Sequence, residues 1–121
     1  MREPGPDHPI TIAPHPRRVR VRLGGVVIAE SRAVLTLKEG RFPPVLYIPR
    51  ADARMEHFRP SARRTHCPYK GDAAYFSLQV GDVVRPDAVW SYEDPFPAVA
   101  AITGHLAFYP DRVDAIEEGP A

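Results

Sequence analysis

The stretch Arg18-Val19-Arg20-Val21-Arg22-Leu23-Gly24-Gly25-Val26-Val27-Ile28-Ala29-Glu30 sets the architecture to expect. Over residues 18–23, valine and leucine alternate with arginine without a break. Val19, Val21 and Leu23 therefore share one face of an extended chain, and Arg18, Arg20 and Arg22 share the other. That is a strand with one buried face. Gly24-Gly25 is a two-residue hairpin turn, and residues 26–30 return antiparallel. Ser31-Arg32 turns the chain again into a third strand over residues 33–38, and the three strands form a meander.

The same period recurs further along. Residues 73–80 read as the longest strand, with Ala74, Phe76, Leu78 and Val80 on one face and Tyr75, Ser77 and Gln79 on the other. Gly81-Asp82 turns it into residues 83–85. Pro86-Asp87 is a further turn, and residues 88–92 form a strand carrying the sole tryptophan, Trp90. Short strands follow at 106–109 and, as a last edge, at 113–116; another lies at 45–48, ended by Pro49. Residues 50–58 predict one or two helical turns with Met55 and Phe58 at i, i+3 toward the core, stopped by Pro60. Asp94-Pro95 reads as a helix start, residues 98–103 as a short helix, and Gly104 as its stop. The expected fold is mainly β: a small antiparallel sandwich or barrel of about eight short strands with two short helices. Met55, Phe58, Phe76, Leu78 and Trp90 are expected in its core.

Composition agrees. Fifteen prolines and eight glycines in 121 residues favour short elements and frequent turns. Residues 17–117 predict a single compact β-rich domain. Residues 1–16, with five prolines, predict an extended arm that Ile10 and Ile12 hold against the body, and residues 118–121 a tail. A formal charge of +1 gives no global attraction to nucleic acid. A lone cysteine suits a reducing cytosol, and no apolar run approaches the roughly 20 residues of a membrane span. The expectation is a cytoplasmic protein with neither a nucleic acid nor a membrane partner.

The chemistry concentrates in residues 63–75, Arg-Arg-Thr-His-Cys-Pro-Tyr-Lys-Gly-Asp-Ala-Ala-Tyr, read as a loop. Cys67 has Arg63, Arg64, His66 and Lys70 within four residues, and neighbouring cations lower a thiol's pKa toward a reactive thiolate. Equally, a lone cysteine is commonly a small inert core residue, and Pro68 alone could account for the local pattern. Lys70-Gly71 pairs a point charge with a backbone that can approach a ligand closely, without the glycine-rich phosphate-loop pattern. No metal site is expected. The histidines at 8, 15, 57, 66 and 105 and the single cysteine lack zinc-ligand spacing, and Asp111 and Asp114 do not supply the closely spaced acidic ligands of a two-metal site. No cofactor is implied. Tyr47, Tyr69, Tyr75 and Tyr92 can line a pocket with hydroxyls inward.

Five blocks in order then carry a resemblance. They are Gly5-Pro6-Asp7-His8-Pro9-Ile10, Tyr47-Ile48-Pro49-Arg50, Thr65-His66-Cys67-Pro68-Tyr69-Lys70-Gly71, Trp90-Ser91-Tyr92-Glu93 and Ala107-Phe108-Tyr109. Together they resemble the bacterial domain of unknown function 427. That resemblance implies a compact, mainly β protein of the bacterial cytoplasm, carries a nucleotidyltransferase-like designation, and makes His8, Tyr47, Arg50, Cys67, Tyr69, Lys70, Tyr75, Trp90 and Tyr92 pocket candidates. The leading expectation is a pocket that binds or acts on a small anionic molecule. Lys70 and Arg50 would hold the anion. Tyr69, Tyr75, Trp90 and Tyr92 would form the wall, Cys67 would be nucleophile or lining, and His8 or His66 an acid or base. Cations gathered there need a compensating acid, with Glu39 and Glu93 the candidates. The alternative is a non-catalytic interaction module, or a homodimer formed through an exposed strand edge.

Overall fold

The computed structural model describes residues 1–120; Ala121, the end of the expected tail, lies outside the described residues. Ten strands form three antiparallel sheets, and neither a closed barrel nor an α-helix is present among the described residues. The strands pair antiparallel and the fold is mainly β, as expected, but the number of strands and the grouping differ from the eight-strand sandwich or barrel.

The first hairpin forms as its sequence dictates. Strands β2 (Val19–Leu23) and β3 (Val26–Ser31) pair with Leu23 opposite Val26. Gly24 and Gly25 both take positive φ, +59° and +79°, the pair of conformations that a twist-matched two-residue turn requires. Val19, Val21 and Leu23 are buried, while Arg20 and Arg22 reach out to Glu30 and Glu117, each at 2.6 Å. The expected meander stops there. β4 (Leu35–Glu39) leaves β3 and lies between β1 (Ile10–Pro14) and β5 (Val45–Tyr47). The arm is thus in part a paired strand. β10 (Ala115–Glu118) pairs with β2 and begins two residues later than expected.

The third sheet is the largest. β6 (Phe58–Cys67), β7 (Gly71–Val80) and β8 (Val83–Tyr92) are ten residues each, and β9 (Ala107–Phe108) closes its edge. The segment read as a loop over residues 63–75 is therefore mostly strand, with only residues 68–70 turning between β6 and β7. Both internal prolines sit at bulges. The β6–β7 register breaks between Pro60 and Arg64, and the β7–β8 register between Phe76 and Leu78, opposite Pro86 and Asp87. A proline cannot donate to a ladder, and a bulge removes that need. Asp87 adopts φ +49° there; its N–H donates to Ser77 Oγ at 3.0 Å, and its carboxylate accepts from Ser61 Oγ. Pro86-Asp87 bends one long strand instead of ending it.

The expected helix over 50–58 is two 3-10 turns, Arg50–Asp52 and Met55–His57, before Phe58 enters β6. The second expected helix is likewise a 3-10 segment, Pro97–Ile102, with non-helical φ and ψ at Val99. Proline-rich flanks leave too few residues to nucleate an α-helix.

Strand β7 separates two cores. Leu78 and Val80, with Phe76 half-buried, join Val19, Val21, Leu23, Ile28, Phe58, Val89 and Leu106 in a hydrocarbon cluster. Ala73 and Tyr75, on the opposite face, join Leu37, Tyr47, Tyr92, Val99 and Ile102 in a second cluster. The alternation predicts one buried face; in the structure sheets cover both. Of the expected core residues, Phe58 and Leu78 are buried, whereas Met55, Phe76 and Trp90 are half-buried.

Candidate functional site

A cavity of about 220 Å³ opens beside the second core. Leu37, Phe42, Pro43 and Val45 supply its apolar wall, and Tyr47, Tyr75, Trp90, Tyr92 and Tyr109 its aromatic one. Glu39 and Lys70 are its charged groups. Strand pairing explains how distant residues meet. Ile10 lies opposite Glu39 in the β1–β4 ladder, which brings His8, two residues earlier, within reach of the Glu39 carboxylate. His8 Nε2 is 2.7 Å from Glu39 Oε2. Lys70 Nζ donates to the other oxygen, Glu39 Oε1.

Lys70 is presented by the tight turn between β6 and β7. Gly71 follows it at φ +110°, a conformation that side-chain-bearing residues rarely adopt. A Cβ at this position would come into van der Waals contact with the backbone of Asp94, Pro95 and Phe96, and Phe96 N–H donates to Lys70 O at 2.9 Å. The turn is also tied to the N-terminal arm. Arg2 N–H donates to Pro68 O at 2.7 Å, and the Tyr69 ring stacks on His8 at 3.8 Å and 6°. Tyr69 therefore supports His8 from outside the cavity wall.

The electrostatics follow from burial. Lys70 is 8% exposed, and its ammonium lies 6.0 Å from the centre of the Tyr92 ring. Burial alone would raise the Glu39 pKa, but the hydrogen bonds from Lys70 and His8 outweigh it and hold the carboxyl below the usual glutamate range. Burial pushes the Tyr47 phenol up to about 12, and Trp90 Nε1–H donates to its oxygen at 3.4 Å. Burial likewise raises Tyr92 well above the ordinary phenol, and Tyr109 to about 12. Tyr75 goes the other way. Burial would raise it too, but the Thr65 hydroxyl at 2.9 Å, the neighbouring Tyr109 hydroxyl and the Arg63 guanidinium, 5.0 Å from the ring centre, together lower it. Tyr75 is thus the one phenol of the wall whose proton is loosened rather than held more tightly.

The structure brings Tyr47, Lys70, Tyr75, Trp90 and Tyr92 together on one cavity, with His8 behind Glu39. Arg50 stands elsewhere. Its guanidinium donates to Glu93 at 2.7 Å, Ser91 Oγ at 3.2 Å and Gly104 O at 3.1 Å, and it lies 5.3 Å from the Phe76 ring centre. The two cations expected on one anion are thus separated, and Glu39 and Glu93 compensate one each. Cys67 is half-buried against the second core, while His66, its neighbour on the strand, points to solvent and faces Asp72 at 2.6 Å. The expected crowd of cations around the thiol came from reading this segment as a loop. In a strand, Arg64 and His66 face away from Cys67, Arg64 donates to the Ser61 and Arg63 carbonyls, and Lys70 is engaged by Glu39.

Sequence reasoning passed over Tyr109 and Thr65 as site residues. Both stand in blocks that carry the family resemblance, but the strand spacing of Tyr109 beside Phe108 reads as a core or rim aromatic, and Thr65 reads only as part of the loop. Leu37, Phe42, Pro43 and Val45 read as ordinary core or loop residues.

The chain belongs to the family described as a domain of unknown function, DUF427, whose model matches residues 11–119. Among curated proteins, none matches the chain significantly. No helix among the described residues is long and apolar enough to cross a membrane.

Proposed function

We propose that the chain binds a small anionic molecule, a carboxylate or a phosphate ester, in the cavity around Lys70. The observation that carries this reading is an excess of donors. Glu39 spends one oxygen on Lys70 and the other on His8, and so offers little to a guest. An ammonium has three N–H donors, of which Glu39 engages one. The Tyr92 hydroxyl has no hydrogen-bond partner among the described residues, and the Tyr47 hydroxyl accepts from Trp90 and keeps its own proton to donate. A wall that can donate and has little left to accept with suits a guest rich in acceptors. Trp90 and Tyr109, with ring centres 4.6 Å apart, supply the flat side. Where the guest undergoes a reaction, Tyr75 is the proton-exchanging group and Lys70 stabilises the negative charge that develops.

The alternative, a module that dimerises by adding strand to strand, draws less support. The long outer strand β6 carries Arg59, Pro60, Arg63 and Arg64 and a bulge, all of which obstruct edge pairing.

Thermal unfolding with a panel of inorganic phosphate, simple carboxylates, nucleotides and sugar phosphates tests the proposal. At least one class should raise the melting temperature of the wild type, and the rise should be lost in Lys70→Ala and incompletely restored in Lys70→Arg. A panel without any Lys70-dependent shift removes the anion site.

A further inference from the structure

Next to the tyrosine cavity lies a larger groove of about 530 Å³, lined by hydrocarbon and aromatic side chains. The buried side chains of Val19, Val21 and Ile48 floor it, and Leu46, Phe108 and Ile116 form its flanks. Among the described residues, none that lines it is charged. The groove and the cavity share Phe42, Pro43, Val45 and Trp90. One end of a continuous depression is therefore polar, with Lys70 and the tyrosine hydroxyls, and the other is purely apolar. The rim between them is the segment that joins β4 to β5. Phe42, on that segment, is 65% exposed, a large apolar side chain held in water at the point where the two compartments meet. Water gains little from an uncharged groove of this size, whereas an apolar chain laid in it leaves water behind.

We infer that the guest is an amphiphile, with an anionic head on Lys70 and the tyrosines and a hydrocarbon tail running past Phe42 and Trp90 into the apolar groove. The inference rests on the anion site proposed above and adds the tail. It commits to a fatty-acid-like chain because the one hydrogen-bonding side chain of the groove, the Trp90 indole, is already spent on Tyr47, which leaves no side-chain partner for a sugar or a base. Trp90 borders both compartments and is the only tryptophan, so its fluorescence reports either end being filled.

The test is a fluorescence titration with hexanoate and decanoate below their micelle concentrations, on the wild type, Lys70→Ala, Phe42→Ser and Ile116→Ser. Phe42 is exposed, so its replacement leaves the fold intact, and a melting curve checks Ile116→Ser. Four extra methylenes should tighten binding of decanoate over hexanoate about tenfold or more. Ile116 lines only the groove, so Ile116→Ser should shrink that ratio severalfold while hexanoate binding stays as it was. Phe42 borders both compartments, so Phe42→Ser should weaken decanoate more than hexanoate. Lys70→Ala should weaken both acids together. Equal affinity for the two chain lengths, with Lys70 dependence kept, overturns the amphiphile and leaves the anion site standing. Chain-length dependence without any Lys70 dependence overturns the anion site, and with it the head-and-tail arrangement.

Discussion

The two faces of β7 make two different cores. On one, Phe76, Leu78 and Val80 meet valine, leucine, isoleucine and phenylalanine in a hydrocarbon cluster. On the other, Ala73 and Tyr75 meet Tyr47 and Tyr92, and the packing opens into a cavity holding a buried lysine and a glutamate. A phenol hydroxyl in a core needs a partner or an opening, and an ion pair taken out of water recovers its desolvation only through good geometry. The second core is thus the worse solution for stability, which is where a binding function is expected. The first core should govern folding and the second should govern ligands.

The largest expected effect lies in the first core. Leu78 is fully buried, so Leu78→Ala should cost about 3–4 kcal/mol in chemical denaturation without altering ligand-induced stabilisation beyond that loss. In the second core, Glu39→Gln should cost about 2–3 kcal/mol, because it leaves the Lys70 ammonium buried without its counter-charge. The same variant should change the pH profile. A carboxyl held below its unfolded pKa contributes stability above the ordinary glutamate range and loses it as pH falls through the folded value. Glu39→Gln should therefore flatten the acid limb of the wild-type stability curve; an unchanged limb would show that the Glu39 pair is not coupled to folding.

Smaller still is Tyr75→Phe. The hydrogen bond to Thr65 is worth about 1 kcal/mol. Its clearer consequence is spectroscopic: ultraviolet titration of the five tyrosines should lose its lowest step, since Tyr75 is held below the ordinary phenol while Tyr47 and Tyr109 lie near 12. Smallest is Tyr92→Phe, which removes a hydroxyl with no partner among the described residues and should change stability by less than about 0.5 kcal/mol while weakening the guest. A loss as large as that of Leu78→Ala would erase the distinction between the cores.

How much of this was legible depended on period. The 18–30 hairpin is written in unbroken alternation with two glycines at the turn, and it forms as read. Residues 63–67 have no apolar alternation, because the face that packs inward carries Thr65 and Cys67 instead of large hydrocarbon side chains, so a strand looked like a loop and its charges seemed to converge. Pro86-Asp87 looked like a turn because its bulge is held by Ser77 and Ser61, partners far away in sequence. Met55 and Phe58 do fall on the first core, since i, i+3 positions also align in a 3-10 turn. Tyr47, Tyr75, Tyr92, Trp90 and Lys70 were legible as a set. Arg50 was not separable from them, because β8 presents Ser91 to Arg50 and Tyr92 to the cavity, and adjacent letters do not reveal opposite faces. Glu39 was legible only as a charge that Lys70 would need.

The central claim is that the Lys70 cavity, and not the Arg50–Glu93 cluster, holds the guest. Native mass spectrometry of gently purified protein tests it on three chains: wild type, Lys70→Met and Arg50→Met. The account predicts a small-molecule adduct on the wild type and on Arg50→Met that is missing from Lys70→Met. An adduct that survives in Lys70→Met and disappears in Arg50→Met would contradict it.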